Sequence, residues 1–303
     1  MCPDQPWYVR ILDCSSRIRP KNHYSHWQLV LLKTVMNVSG GAVKVFKLLV
    51  FLSILYVALT ARINGRNEVQ WQQHAAAIGT PESLTLLIAH PDDEVMFFSP
   101  SLLQLDRLLP QSVRFNFVCL SKGDADHLGE TRELELQRSL NLLTSNSQRK
   151  TQLYQFDYPD GFDEKWEIES VVSIVESKVF IGSGFNLLLT FDAHGVSNHP
   201  NHVACHNAVA RLIEKGHKAL YLNSHSRNLP LKYSGFIWEL IRMLSDSVMK
   251  LERTGLTFMN SFPQYILAFA AMANAHESQL VWFRYGWWSL SRFVFVNDLE
   301  IVI

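Results

Sequence analysis

Residues 84–94 read LTLLIAHPDDE and join a short apolar run to a polar cluster. The run has the length and composition of a β-strand buried on both faces. Pro91 cannot continue a central strand, so the strand ends just before the cluster. An imidazole and three carboxylates buried together without a cation would repel one another, which favours a metal site. The alternative is a polar loop in which Asp92 or Asp93 caps the helix that follows.

A second apolar run, NLLLTF at 186–191, precedes another polar segment, DAHGVSNHPNH at 192–202. The carboxyl ends of parallel strands meet at one edge of a sheet, so both clusters would face one crevice. Two histidines and a carboxylate are suitable zinc ligands, and a further carboxylate would serve as general base. The residue types alone leave open which carboxylate at 92–94 is the ligand. His206 is better explained as a structural histidine on a helix face than as a ligand to a second metal.

Two more apolar runs, VRFNFVCL at 113–120 and KALYL at 218–222, complete four predicted strands. Stretches with helical spacing of apolar residues lie between these runs, at 131–143, 165–180 and 201–215. Strands that alternate with helices indicate βαβ units. We therefore predict an α/β, Rossmann-like fold, in which a mostly parallel sheet carries helices on both faces.

The composition is that of a neutral globular chain. Its 303 residues suggest one large domain, or one domain with an appendage. The 28 basic residues balance 28 acidic ones, which argues against nucleic acid as a partner, and neither GxGxxG nor a P-loop is present. The four cysteines are Cys2, Cys14, Cys119 and Cys205. They are widely scattered and form no CxxC pair, which is typical of reduced thiols.

An uncharged stretch at 48–61, LLVFLSILYVALTA, becomes long enough to cross a bilayer when it is extended back to residue 42. The alternatives are a signal-peptide core or a buried helix, but no convincing cleavage site follows. We predict a polar N-terminal extension at 1–41, a single transmembrane anchor at 42–61, a linker at 62–81 and a catalytic domain at 82–303. Basic residues flank both ends of the anchor, so charge does not decide its orientation.

These motifs resemble the PIG-L/LmbE-like deacetylase family. The resemblance is carried by AHPDDE with MFFSP, by HGVSNHPNH, by GETRELEL at 129–136 and by SQLVWFRYGWWSLSRF at 278–293. It spans roughly residues 82–300. The last stretch points within the family to its eukaryotic membrane members, which de-N-acetylate N-acetylglucosaminyl-phosphatidylinositol in the biosynthesis of glycosylphosphatidylinositol anchors.

The resemblance implies roles for individual residues. Zinc would be bound by His90, Asp93 and His202, although Fe²⁺, Co²⁺ or Mn²⁺ would also suit such ligands. Asp92 would be the general base, and His199 would stabilise the oxyanion or protonate the leaving amine. The substrate would be a membrane glycolipid, and the location the endoplasmic-reticulum membrane with the catalytic domain in the cytosol. The alternatives are a deacetylase of another N-acetylglucosamine conjugate or an inactive membrane-tethered scaffold.

Four further residues are candidates for substrate binding. Arg132 would hold a sugar hydroxyl or a phosphate, or else form a structural ion pair. Asp160 would touch substrate or form a turn, Asp192 would orient a ligand histidine or begin a turn, and His194 would flank the pocket. The aromatic and arginine-rich run at 282–293 would lie at a membrane interface, or equally pack on the core.

Overall fold

The computed structural model describes residues 26–180, 182, 184–225, 227–249 and 255–302, except for the side chains of 26–39 and 77. Within them the helices are α1 (His26–Ile78), α2 (Asp93–Met96), α3 (Ser99–Leu108), α4 (Gly129–Leu143), α5 (Ile168–Lys178), α6 (Gly195–Asn198), α7 (Pro200–Glu214), α8 (Leu229–Lys232), α9 (Ile237–Met249), α10 (Phe262–Ala275) and α11 (Trp282–Leu290). The strands are β1 (Ser83–Ile88), β2 (Arg114–Cys119), β3 (Thr151–Gln155), β4 (Asn186–Phe191), β5 (Lys218–Leu222), β6 (Leu256–Met259) and β7 (Val296–Val302).

The strands form one sheet in the order β3-β2-β1-β4-β5-β7-β6. The first five are mutually parallel, and β7 runs antiparallel to both β5 and β6. Every residue of β1 and of β4 is buried, as expected for central strands covered on both faces. The predicted mostly parallel α/β sheet is therefore confirmed. Strand order reverses between β1 and β4, which opens a crevice at their carboxyl ends.

Three strands were not predicted, and each lacks the long apolar run that marks the central strands. β3, with the sequence TQLYQ, is an edge strand whose residues are exposed or half-buried. β7 carries Asn297, Asp298 and Glu300 among its apolar residues, and β6 has only four residues. These strands owe their existence to pairing across the sheet more than to their own sequences.

The N-terminal helix α1 continues well beyond the predicted anchor. It begins at His26, inside the predicted extension 1–41, and the first 25 residues of that extension lie outside the described residues. It then runs through the predicted anchor at 42–61 and most of the predicted linker at 62–81. Between Gly40 and Ala76 it is long and apolar enough, by length and composition, to cross a membrane.

The chain divides into two compact units, residues 1–54 and residues 55–303. Within the second unit, one face of α1 packs against the edge of the sheet. Tyr56, Leu59 and Ile63 lie in an apolar cluster with Met259 and Val296. The amide of Asn64 also donates to the Met259 carbonyl at 3.0 Å. This part of α1 is thus a structural element of the second unit.

A buried charge network joins α9 to the end of the chain. Arg292 Nη2 donates to Glu239 Oε2 at 3.0 Å and to Asp298 Oδ2 at 2.8 Å. All three side chains are buried or nearly so. Such a network fixes α9 against β7, because separating the partners would leave charges unpaired in the interior.

Replacing Arg292 by Met should lower the free energy of unfolding by about 3–5 kcal/mol, since Glu239 and Asp298 would remain buried without their cation. Thermal unfolding of the detergent-solubilised full chain measures this. Arg211→Met is the matched control, because Arg211 pairs with Glu214 on the solvent-exposed surface of α7. Equal melting temperatures for the two variants would contradict the assigned role of the network.

Candidate metal site

The first half of the site is the turn that follows β1. Asp93 Oδ2 accepts the backbone N–H groups of Ala89, at 3.1 Å, and of His90, at 2.8 Å. The intervening Asp92 is in the left-handed region, with φ 110°. This turn orients the Asp93 carboxylate and leaves its second oxygen, Oδ1, directed into the crevice.

The second half follows β4. Gly195 has φ +49°, and its carbonyl accepts a hydrogen bond from His202 Nδ1 at 3.1 Å. The His202 ring also stacks on Phe191, with the ring centroids 4.1 Å apart. Because a carbonyl can only accept, Nδ1 carries the proton in a neutral His202, and Nε2 presents its lone pair.

The two halves converge in the crevice. His202 Nε2 lies 3.3 Å from Asp93 Oδ1 and is buried without a hydrogen-bond partner. His90 Nδ1 lies 3.9 Å from Asp93 Oδ2, and one ligand atom from each of the three residues lies within 4.8 Å of the other two. An imidazole nitrogen and a carboxylate oxygen at this distance are stabilised by a proton on the nitrogen or by a metal ion that both atoms ligate. The three residues therefore fit a divalent metal ion.

The pKa values of Asp93 and His90 are shifted by these same contacts. Burial alone would raise the pKa of Asp93, but His202 and His90 hold that pKa well below its usual range. Burial likewise opposes protonation of His90, yet the hydrogen bond to Asp160 and the charge of Asp93 raise the pKa of His90 overall. A fixed anion surrounded by imidazoles is an environment that favours a bound cation.

Asp160 and Asn201 hold the other side of His90. Its Nε2 lies 2.9 Å from Asp160 Oδ1 and 3.1 Å from Asn201 Oδ1. Arg132 lies 3.8 Å from the second Asp160 oxygen and donates to the carbonyls of Gly123 and Pro91. Partners of this kind orient a histidine ligand and set its tautomer.

Asp92 lies beside the three residues and forms an ion pair. Arg284 Nη2, on α11, donates to Asp92 Oδ2 at 3.0 Å. Burial raises the pKa of Asp92, and the Arg284 and Arg132 cations oppose that rise. The backbone N–H of Asp92 donates to Glu94 Oε2 at 3.1 Å.

Glu94 is fully buried and anchors the turn from behind. Its Oε1 accepts hydrogen bonds from Ser139 Oγ and from His276 Nε2, each at 2.6 Å. With these partners it holds the Asp92 backbone, and it belongs to neither cluster of possible metal ligands among the described residues. The first cluster is His90, Asp93 and His202, and the second is His90, Asp160 and His199.

His199 is the N-cap residue of α7 and borders the crevice. Its ring centroid lies 4.9 Å from that of His90 and 5.0 Å from that of His202. Burial and these two neighbours lower the pKa of His199 to about 4. Its Nδ1 accepts the backbone N–H of Asn201 at 3.3 Å, which leaves Nε2–H as a donor.

Two of the nine residues predicted for the site lie apart from this cluster. Asp192 accepts the backbone N–H groups of Ser224, at 2.7 Å, and of His194, at 3.1 Å. Asp192, His194 and His206 line a separate surface pocket with Tyr221 and others. His206 Nδ1 donates to the Phe191 carbonyl at 3.2 Å, and His206 belongs to no cluster of possible metal ligands among the described residues.

The sequence interpretation missed three contributors to the site: Asn201, His276 and Arg284. Asn201 sits inside the HGVSNHPNH motif, and Arg284 lies within the SQLVWFR stretch, so both carried a signal. His276 lies just before that stretch and belongs to none of the motifs in the sequence. Its role depends wholly on contact with Glu94, 182 residues away.

Fold and site together define a class: a Rossmann-like α/β fold with a candidate two-histidine, one-carboxylate metal site at the point where the strand order reverses. Residues 85–213 match the family described as PIG-L, GlcNAc-PI de-N-acetylase. The chain belongs to this family.

Curated relatives agree with this assignment. The N-acetylglucosaminyl-phosphatidylinositol de-N-acetylase of Saccharomyces cerevisiae is 42% identical over 90% of this chain and 98% of its own length. The probable enzyme of Schizosaccharomyces pombe is 31% identical over 82% of this chain and 98% of its own. The enzyme of Bos taurus is 35% identical over 73% of this chain and 84% of its own.

Gly195→Ala should weaken metal binding by about 10- to 100-fold, because outer partners of a ligand typically contribute that much. A Cβ at Gly195 would lie 2.7 Å from the His202 Cβ, and φ is +49°, so the ligand must move. Zinc content under chelator competition measures the effect. Gly65→Ala, where a Cβ meets nothing within 4 Å, is the control and should match the wild-type chain. Unchanged zinc affinity in Gly195→Ala would argue against this arrangement.

Proposed function

We propose that the protein is a membrane-anchored, metal-dependent de-N-acetylase. It would hydrolyse the acetamide of N-acetylglucosaminyl-phosphatidylinositol to glucosaminyl-phosphatidylinositol and acetate, a step in glycosylphosphatidylinositol-anchor biosynthesis. The observation that carries the proposal is the buried His202 Nε2 facing Asp93 Oδ1, in a chain that belongs to a de-N-acetylase family. The identity to curated enzymes of this activity supports the substrate.

His90, Asp93 and His202 would hold the metal, which we propose to be Zn²⁺. When bound, zinc supplies Lewis-acid chemistry, polarising a carbonyl oxygen and making water a stronger acid. The chain contributes the orientation of its ligands. The Gly195 carbonyl holds His202 Nδ1 and thereby orients Nε2 toward the metal position. The backbone of the β1 turn holds Asp93 Oδ2 and orients Oδ1 in the same way.

Asp92 would act as the general base. It is adjacent in sequence to Asp93, yet its left-handed backbone turns the two carboxylates to different partners. Asp93 is held by backbone N–H groups and faces His202, whereas Asp92 is held by Arg284. The Arg284 cation favours the ionised carboxylate, which is the form that accepts a proton from water.

His199 would donate a hydrogen bond to the developing oxyanion. A neutral ring whose Nδ1 accepts from Asn201 keeps its proton on Nε2, and this proton can be directed at the reacting carbonyl. Asp92 would then act as general acid and return the proton that it had taken from water to the leaving amine.

The other predicted substrate residues receive different roles. The Asp160 carboxylate, which is nearly buried beside His90, would accept a sugar hydroxyl. Arg132 already donates to two backbone carbonyls, which favours a role in holding the β1 turn over direct recognition of a phosphate. Asp192 and His194 would bind substrate only through the neighbouring pocket that they line.

We propose that α1 anchors the protein in the endoplasmic-reticulum membrane by a single span, with the catalytic domain in the cytosol. The apolar stretch between Gly40 and Ala76 supports the span, and the lipid-linked substrate supports a location at a membrane surface. The side of the membrane is an expectation from the family.

Metal binding and turnover should separate between two variants. His202→Ala should lose both bound zinc and acetate release, whereas Asp92→Asn should keep zinc and lose at least about 100-fold in turnover. Zinc analysis and acetate release from N-acetylglucosaminyl-phosphatidylinositol are measured on the same purified chain. His206→Ala, on the same helix as His202, is the control and should retain both. Near-normal turnover in Asp92→Asn would show that another residue is the base.

The ion pair between Arg284 and Asp92 should set the acidic limit of activity. In Arg284→Met the Asp92 carboxylate loses its cation, so its pKa rises and the basic form appears only at higher pH. We expect the acidic limb of kcat/KM to move upward by about one pH unit or more, and Arg284→Lys to restore it. The pH–rate profile measures this. A limb that moves downward, or not at all, would be inconsistent with Asp92 as the base.

A further inference from the structure

Helix α9 exposes apolar side chains on its outer face. Trp238, Ile241 and Leu244 are 40%, 51% and 56% exposed, and their spacing of three residues places them on one side of the helix. The charged Glu239 is instead buried and paired with Arg292. A helix that meets water would have the opposite arrangement, so this face is built to be covered by something apolar.

The inner face of α9 lies against the candidate membrane span. Leu240 and Met243 pack on the cluster that includes Tyr56, Leu59 and Ile63 of α1. The helical stretch of α1 from Gly40 to Ala76 has 37 residues, about 55 Å of helix, and its apolar part is long enough for the about 20 residues that cross a bilayer. Because Tyr56, Leu59 and Ile63 pack on protein, α9 lies beside the C-terminal end of the anchor predicted at 42–61.

Helix α11 continues the same apolar surface. The Leu290 carbonyl, at its end, accepts the backbone N–H of Gly235, just before α9, at 2.8 Å. Leu290 is 57% exposed, and at the other end of α11 Trp282 and Phe283 are 84% and 55% exposed. Exposed tryptophan and phenylalanine beside an arginine are typical of segments that lie in a membrane interface.

We infer that the outer faces of α9 and α11 form a docking surface for the lipid bilayer, composed of Trp238, Ile241, Leu244, Trp282, Phe283 and Leu290. The inference rests on the proposed function and deepens it, because it concerns how the same site meets a lipid-borne substrate. Arg284 lies on α11 and contacts Asp92, so the helix that enters the interface also borders the site. Docking holds the mouth of the crevice at the headgroups, where the sugar is presented.

The first test locates the surface relative to the lipid. Cysteine is introduced at Trp282, Leu244 or, as a control, the exposed Leu134 of α4, in the full chain with Cys2 and Cys14 changed to serine. The remaining Cys119 and Cys205 are buried. Each variant is labelled with an environment-sensitive fluorophore and reconstituted into phosphatidylcholine–phosphatidylinositol vesicles. Brominated acyl chains should quench the probes at 282 and 244 and leave the probe at 134 bright.

The second test separates docking from chemistry. Trp282→Ser and Leu244→Ser should each raise KM for substrate in vesicles by about tenfold or more, because apolar burial in the bilayer is lost. Turnover of a water-soluble short-chain analogue should be unchanged. Leu134→Ser should behave as the wild-type chain with both substrates. Equal losses on both substrates would make the surface a structural part of the domain and would overturn the inference.

The outcomes for docking and for the proposed function are distinguishable. Unquenched probes in a protein that releases acetate overturn the docking surface alone. Quenched probes in a protein that releases no acetate support docking and refute the proposed activity. Unquenched probes together with a mass of two chains per particle would assign the surface to a second copy and would also overturn the inference.

Discussion

The site depends on one contact, in which a carboxylate oxygen of Asp93 faces the lone pair of His202 Nε2 in a buried crevice. Two electron-rich atoms are stable at this distance only when a proton or a metal ion lies between them. The surrounding backbone fixes the other atoms of the same side chains. Asp93 Oδ2 accepts two N–H groups and His202 Nδ1 donates to Gly195, so neither ring nor carboxylate can turn away. The hydrogen bonds of the chain thus orient Asp93 and His202, two of the three residues that we propose as metal ligands.

Backbone with positive φ angles holds these atoms in place. Three of the five non-glycine residues with positive φ in the described part of the chain lie in the two site loops, namely Asp92, Val196 and Asn198. Conformations of this kind cost about 1–3 kcal/mol each and persist only where the surroundings enforce them. Glu94, buried with His276 and Ser139, supplies that enforcement at the β1 turn.

The same domain that holds the site also receives the N-terminal helix. One face of α1 packs on the sheet edge beside Met259, and α9 packs on α1. Helix α11 reaches from this region to Asp92 through Arg284. Helices α9 and α11 therefore link the packed part of α1 to Asp92, the residue that we propose as general base, which relates the proposed docking of these helices to access for a lipid-borne sugar.

The sequence by itself determined the central strands, the helices that follow them and the two polar loops. Burial and side-chain periodicity act over about ten residues, so local patterns record them. Asp93 was one of three carboxylates that local pattern could not rank, and Arg284 reaches Asp92 from 192 residues away. Strand β7 likewise carries Asn297, Asp298 and Glu300 and has no strand pattern of its own, yet it pairs antiparallel with β5 and β6. Only the tertiary structure decided these features, because they depend on which distant elements pack together and not on any short segment.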